Sequence, residues 1–428
     1  MKIYCSGIGG IGLSAYASLQ RADGHTVFGS DRVESTLLDD LRSQGIVVTL
    51  DQNGQSIPLD SDLFVYSEAI PADAPERRRA AELGLLQHSY PEAVATLTEG
   101  KRLIAVCGTH GKSSTTAMVA RLLMDVGMDP TVVIGTKMQE LNGKNWRKGG
   151  GPIFVLEACE YRRSFLHYNP SIILLTNCDG DHFDYYRNAE EYRNAFVEFI
   201  QRLPSDGTLI THVSDLDCRA VAQASGRLAS DADRFPLITL NTPGVHMQQN
   251  ATLVLALASI LDIPQQKAIS ILSGYSGSWR RMERVGHTIH NIPVIDDYGH
   301  HPQEIRATLN ALRRQSPERR LICVFQPHTH NRTLKLYEDF THAFTDADVV
   351  IIPNVYDARS ETETGQVDVP TFVHDIARQS SVHAIEGHSL DETNRLLTKK
   401  ILKPNDLLLC MGAGDVTNLA LSLLAAAR

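Results

Sequence analysis

The run Ala105-Val106-Cys107-Gly108-Thr109-His110-Gly111-Lys112-Ser113-Ser114-Thr115-Thr116 places two glycines, a lysine and hydroxyl side chains within a few residues. Glycines let backbone N–H groups turn toward an anion, and the start of a helix adds N–H donors and partial positive charge. Lys112 supplies a point charge for terminal phosphates, and the Ser113 hydroxyl suits Mg²⁺. Val106 stands where the strict phosphate-loop pattern has its first glycine. The surroundings fit the chemistry even so. Leu103 to Cys107 reads as a buried strand and Ala117 to Val126 as a helix, the context a phosphate loop needs. The competing reading is an ordinary glycine turn.

Two more strand ends carry matching chemistry. Ile153 to Leu156 reads as a strand ending in Glu157-Ala158-Cys159-Glu160, and Ser171 to Thr176 runs into Asn177-Cys178-Asp179-Gly180-Asp181-His182. Open α/β sheets bind ligands at the C-terminal ends of strands. Glu157 and His182 therefore combine with Ser113 as a Mg²⁺–phosphate site. The alternatives are a helix cap at Glu157 and packing of His182 against Tyr185.

The first block, residues 1–98, alternates strand and helix. Lys2 to Ser6 leads into Gly7-Ile8-Gly9-Gly10-Ile11-Gly12 and a helix, then Thr26 to Gly29 ends in Ser30-Asp31. The glycines either hold a nucleotide diphosphate or let the helix pack closely on the strand. Asp62 to Tyr66 is a further strand that ends at Ser67-Glu68-Ala69, and Asp73-Ala74-Pro75-Glu76 has the chemistry of a helix start. The central block, 99–283, continues with a helix over Ala189 to Leu203, a strand over Gly207 to Thr211, and a polar, weakly patterned stretch from 212 to 240. His246-Met247-Gln248-Gln249-Asn250 opens an apolar helix, where polar side chains often only cap. Arg280-Arg281, beside Trp279, reads equally as a phosphoryl-stabilising pair or as a solvated one.

The third block, 284–428, repeats the alternation. Pro293 to Asp296 ends in Asp296-Asp297-Tyr298-Gly299-His300-His301-Pro302, and Leu321 to Phe325 ends in Gln326-Pro327-His328-Thr329-His330-Asn331-Arg332. Pro302 and Glu304 suit the first turn of a helix. Four histidines invite a zinc reading. Adjacent histidines in a strand point to opposite faces, and no cysteine or glutamate completes a ligand set, so substrate contacts are the better reading.

Composition bounds the class. A chain of 428 residues suggests about three domains at ~150 residues each. The net charge of −9 argues against a general nucleic-acid surface. No apolar run is long enough to suggest a membrane span, and the start reads as a strand and turn rather than a signal peptide. Seven cysteines, odd in number and without a C-x-x-C pair, fit reduced, buried thiols in a cytoplasmic protein.

Taken together, G-T-H-G-K-S-S-T-T, E-A-x-E, T-N-x-x-x-D-H, P-G-x-H-x-x-x-N, R-R-M-E, D-D-Y-G-H-H-P-x-E and Q-P-H-x-x-x-R-T occur in this order. The chain thus resembles the Mur ligases over essentially its whole length. The His-His-Pro and Gln-Pro-His motifs favour the branch that joins L-alanine to the lactyl carboxylate of UDP-N-acetylmuramate. The resemblance implies an α/β fold of three domains: N-terminal Rossmann-like, central P-loop ATPase-type and C-terminal Rossmann-like. These would serve the UDP-sugar (1–98), ATP (99–283) and the incoming amino acid (284–428). It implies ATP and Mg²⁺, an acyl-phosphate intermediate, no nucleic-acid or membrane partner, and a monomer or weak homodimer.

By the same resemblance Gly9, Gly10, Ser30, Asp31 and Ser67 line the UDP site. Gly108, Thr109, His110, Gly111, Lys112, Ser113 and Ser114 hold the phosphates, with His246 and Asn250 at the adenine. Ser113, Glu157 and His182 hold Mg²⁺, and Lys112 and Arg281 neutralise the transferring phosphoryl group. Asp297, Tyr298, His301, His328 and Arg332 face the substrates, His301 in a catalytic role.

The chain departs from the family pattern at four places. Met247 replaces an asparagine. Glu160-Tyr161-Arg162-Arg163 replaces an aspartate-rich run, which puts cationic groups where a carboxylate near the phosphates is expected. Thr329 stands where arginine is common, and the stretch around 212–243 is short. Three other functions compete: a ligase that recycles murein tripeptide onto UDP-N-acetylmuramate, a nicotinamide-dependent dehydrogenase built on Gly7 to Gly12, and a weakened nucleotide-binding module.

Overall fold

A computed structural model describes residues 1–181, 185–356 and 365–424. It contains three sheets, and the strand–helix alternation runs through all of them. The first has β1 (Lys2–Ser6), β2 (Thr26–Ser30), β3 (Val47–Thr49), β4 (Leu63–Tyr66) and β5 (Leu86–Ser89) in the order β3-β2-β1-β4-β5, all parallel. The strand order reverses between β1 and β4. The turn after β1 and the segment after β4 therefore open at the topological switch point, where α/β sheets bind ligands.

The second sheet has β6 (Arg102–Cys107), β7 (Thr131–Met138), β8 (Lys144–Arg147), β9 (Ile153–Glu157), β10 (Ile172–Leu175), β11 (Thr208–Thr211) and β12 (Ala229–Asp231). Its order is β12-β11-β10-β6-β9-β7-β8. β6 lies between β10 and β9, so the three predicted strand ends become neighbours on one edge. The polar stretch after 212, read from sequence as weakly patterned, holds a helix, Leu216–Ala224, and the outermost strand β12. Asp215 caps that helix by accepting the Cys218 N–H at 2.9 Å. The antiparallel β7–β8 pair is a further element that apolar periodicity missed.

The third sheet has β13 (Glu283–His287), β14 (Pro293–Asp297), β15 (Leu321–Phe325), β16 (Val349–Pro353), β17 (His383–His388) and β18 (Leu407–Met411) in the order β13-β14-β18-β15-β16-β17. Only β13 runs antiparallel to its neighbour.

Parallel strands covered on both faces need continuous apolar sequence. Leu103–Cys107, Ile172–Leu175 and Leu407–Met411 meet this and are buried throughout. Compactness divides the chain into two units: Met1–Ile238 with Asn250–Leu272, holding the first two sheets, and Thr239–Gln249 with Ser273–Arg428, holding the third. Within the first unit one apolar cluster, from Ile3 to Ala222, draws on both sheets. Phe165 sits in it, fully buried and stacked on Phe199 at 4.5 Å between ring centres, with Phe196 edge-on at 5.3 Å. Among the described residues no helix is long and apolar enough to cross a membrane. Six cysteines are buried as expected, but Cys159 is exposed.

Phe165→Ala removes a fully buried ring from this stack. It should cost about 3–5 kcal/mol of stability in the first unit, read by urea unfolding.

Candidate active site

The phosphate loop follows β6 and opens the helix Lys112–Asp125, five residues ahead of the apolar run that signals it. Two glycines make this turn. Gly108 has φ 139 and Gly111 φ 79, both in the left-handed half of conformational space. A Cβ on Gly108 would lie 2.0 Å from Thr176 Oγ1, and one on Gly111 2.7 Å from Asn250 Oδ1. The missing first glycine therefore costs little, since Val106 is still strand. Asn177 braces the loop. Its backbone carbonyl accepts the Thr109 N–H at 3.0 Å, and its Oδ1 accepts the His110 N–H at 2.7 Å. Ser114 lies buried in the first helical turn.

Lys112 folds back over its own loop. Its ammonium donates to the carbonyls of Gly108 (2.5 Å) and Thr109 (3.0 Å) and pairs with Glu160 at 3.0 Å. Glu160 has no solvent-exposed side-chain surface, and it also accepts from the Tyr192 hydroxyl at 3.3 Å. Burial opposes the charge on Lys112, but the Glu160 carboxylate outweighs it and raises the pKa above the ordinary lysine value. Glu160 is the carboxylate of this run that meets the loop lysine. Arg162 and Arg163 leave the loop. The first donates to the Glu68 carbonyl at 2.8 Å, and the second pairs with Glu198.

Ser113 and Glu157 come together as predicted. The Ser113 hydroxyl donates to Glu157 Oε1 at 2.9 Å, and the Gly135 N–H holds the other oxygen at 2.8 Å. Two hard oxygen donors on the phosphate loop's edge fit Mg²⁺. His182, the third predicted ligand, lies outside the described residues. Asn250 stands against Gly111 in the first unit. His246 lies on the same helix, Val245–Ile260, but belongs to the second unit. Burial lowers the His246 pKa against the pull of Glu304, which favours a neutral imidazole. Met247 is buried at 3% exposure, so its departure from the family pattern is a matter of packing.

In the first sheet, Gly9 donates its N–H to Asp31 Oδ2 at 2.8 Å, and Gly10 bonds to the Gly7 carbonyl at 3.2 Å. Ser67 lies against the turn, since a Cβ on Gly7 would meet its Cβ at 2.9 Å. Ser30 differs from the expectation of a lining residue. It is fully buried, and its hydroxyl donates to Glu76 at 2.8 Å.

In the second unit, Asp297 is 5% exposed, and both its oxygens accept backbone N–H bonds, from Met282 and Gly299, each at 2.8 Å. It anchors the loops rather than presenting a free carboxylate. Burial pushes its pKa up to about 6, against the favourable Arg281 charge. Arg281 lies over the Tyr298 ring, 4.9 Å from its centre. Arg280 is instead buried beside Asp296 at 3.4 Å. His301 caps the helix Pro302–Gln315, its Nδ1 accepting the Gln303 N–H at 3.4 Å. A neutral His301 then carries its proton on Nε2. The His328 ring faces His300 at 5.8 Å and stacks on Tyr356 at 5.7 Å. Thr329, where arginine is common, takes φ 65 and caps the short helix of Arg332 through its hydroxyl, at 3.4 Å.

Sequence reasoning missed the bracing by Asn177, the part of Glu160, and Tyr356. The first two follow strand ends and were findable by that rule. Tyr356 carries no such signal.

Family models match in three successive segments. Residues 2–102 match the Mur ligase family catalytic domain, 106–230 the Mur ligase middle domain, and 280–414 the Mur ligase glutamate ligase domain. The chain belongs to the Mur ligase family. Among Mur ligases it is 36% identical to a UDP-N-acetylmuramate–L-alanine ligase of Clostridium novyi, across 97% of this chain and 95% of that protein. It is 32% identical to the enzyme of the same name in Clostridium perfringens, across 97% and 96%. The solved UDP-N-acetylmuramate-alanine ligase of Thermotoga maritima superposes with TM-score 0.83 at 28% identity, covering 99% of this chain and 98% of that one. A murein peptide ligase of Psychrobacter arcticus shares the Mur ligase fold, with TM-score 0.72 at 22% identity over the full length of both.

Asp297 yields a pH prediction. Burial holds the Asp297 carboxyl at about 6, above the ordinary aspartate value of 3.8, so it binds more protons in the folded state between those values. Stability of the second unit should fall as pH rises from about 4 to about 6 and then level off. A carboxyl NMR titration of Asp297 with its midpoint near 4 would refute this.

Proposed function

We propose that this Mur ligase joins L-alanine to the lactyl carboxylate of UDP-N-acetylmuramate at the expense of ATP, in the cytoplasmic synthesis of peptidoglycan precursor. The observation that carries the reading is the phosphate loop itself. Lys112, Ser113 and Glu157 converge at the edge of a sheet, in a chain similar to L-alanine ligases along nearly its entire length. We assign the UDP-sugar to residues 1–98, ATP with Mg²⁺ to 99–283 and the amino acid to 284–428.

A carboxylate and an amine do not condense in water, so the carboxylate needs a leaving group. ATP supplies it as a phosphoryl group, giving an acyl phosphate that the alanine amine attacks with loss of phosphate. Lys112 exchanges Glu160 for the phosphate oxygens and neutralises charge as it develops. Ser113 and Glu157 would hold Mg²⁺, which polarises the phosphoryl oxygens. Arg281, spread over Tyr298, is the cation of the arginine pair assigned to the phosphoryl group, since Arg280 is committed to Asp296. His301, His328 and Arg332 address the amino acid and the lactyl group. Gly7 to Gly12 and Ser67 address the UDP-sugar.

Phosphate release from ATP and Mg²⁺ should require both UDP-N-acetylmuramate and L-alanine. Release with murein tripeptide instead would assign the recycling reaction, and binding without turnover would assign a nucleotide-binding module. Lys112→Ala should lower kcat by a factor of about 10³ or more while UDP-sugar binding persists in calorimetry. Near-native turnover in that variant would remove the phosphate loop from the mechanism.

A further inference from the structure

Glu76 is a buried carboxylate to which the proposed mechanism gives no role. In the sequence it reads as a first-turn acid of the helix Pro75–Glu82, a place normally open to water. Instead it is 1% exposed. Its Oε1 accepts from the Tyr4 hydroxyl at 2.7 Å, and its Oε2 accepts from the hydroxyls of Ser6 (2.5 Å) and Ser30 (2.8 Å). A carboxylate taken out of water is unfavourable unless its oxygens are met by donors, so this arrangement calls for a reason.

The partners supply one. Ser6 and Ser30 are the last residues of β1 and β2 and pair in register. The Ser30 carbonyl accepts the N–H groups of Gly7 (2.8 Å) and Ile8 (2.9 Å), while the Ser6 carbonyl accepts the Ser67 N–H at 2.9 Å. Gly9 in turn bonds to Asp31, next to Ser30. Both walls of the glycine turn thus hang from two serines, and one carboxylate oxygen holds both hydroxyls.

We infer that Glu76 is a positioning residue for the UDP-sugar. It locks Ser6 and Ser30, and through their carbonyls it sets the spacing of the Gly7–Gly10 turn and of Ser67. The buried Ser30 then acts through its backbone rather than by touching ligand. This rests on the assignment of that turn to the UDP-sugar. Glutamine in place of Glu76 has the same shape but offers one acceptor and one donor. Whichever way the amide turns, the serine hydroxyls lose a charged acceptor: they meet a weaker neutral oxygen or a donor they cannot bond in the same way, and the turn is held less firmly.

The test is calorimetry of UDP-N-acetylmuramate and of ATP with Mg²⁺, together with steady-state kinetics, on the native chain, Glu76→Gln, Ser30→Ala and Tyr4→Phe. Glu76→Gln should raise Kd and KM for UDP-N-acetylmuramate about tenfold, with kcat at saturation and KM for ATP within about twofold. Ser30→Ala should weaken the UDP-sugar similarly, and the double variant should weaken it no further. Tyr4→Phe removes a donor from the same carboxylate on the side away from the turn and should leave UDP-sugar affinity near native. Native affinity in Glu76→Gln would overturn the inference, as would equal losses in Tyr4→Phe or a parallel rise in KM for ATP. A native chain that does not bind UDP-N-acetylmuramate would overturn the site assignment itself, and this shows in the first titration. Should Glu76→Gln fail to fold, Ser30→Ala against Tyr4→Phe carries the same comparison.

Discussion

The ion pair between Lys112 and Glu160 is the interaction around which the central sheet's edge is arranged. Glu160 is fully enclosed, and Lys112 keeps only 14% of its side-chain surface. Such pairs add little net stability, because desolvation offsets their attraction, while losing one partner strands a buried charge. The lysine is charged and already held on the loop, which suits the phosphate-binding role proposed for it. Tyr192 and Tyr186 complete the enclosure, the second by donating to the Glu160 carbonyl at 2.5 Å.

Beyond Glu160 the backbone is strained. Arg162 and Arg163 take φ 51 and 61, consecutive left-handed positions without glycine. The strain is met by contacts at both ends of the segment. Arg162 and Ser164 reach Glu68, just past the end of β4, each at 2.8 Å, and Arg163 reaches Glu198. The segment that carries the counter-ion of the phosphate-loop lysine thus also touches the residue after Ser67. This accounts physically for the two arginines in a run that the family pattern fills with acids. They fasten the backbone through Glu68 and Glu198.

Much of the fold was legible because it is local. Parallel strands buried on both faces must be apolar throughout, and glycines must stand where the chain turns, so Lys2–Ser6, Leu103–Cys107 and Ile172–Leu175 announce themselves. Weak or antiparallel elements do not. The β7–β8 pair has half-exposed polar positions, and the stretch after 212 relies on a single Asp215 cap and a three-residue edge strand. The same limit applied to side chains. Asp297 looked like a substrate contact because it ends a strand, yet one oxygen is taken by the Gly299 N–H two residues on and the other by the Met282 N–H fifteen residues back, a partner that only the fold supplies.

The sequence by itself determined the phosphate loop, the strand-end rule that drew Ser113 and Glu157 together, and the motif order that marks the family. The phosphate loop depends on residues within a turn or two of one another, where covalent geometry sets the outcome, and Ser113 and Glu157 meet because each follows a strand of the same parallel sheet. The tertiary structure alone decided that Glu76 faces inward and that Ser30 is closed to solvent. It also decided that Met247 packs into core and that Tyr356 stacks on His328. Those partners lie tens of residues apart in the chain, and strand order, not spacing, brings them into contact.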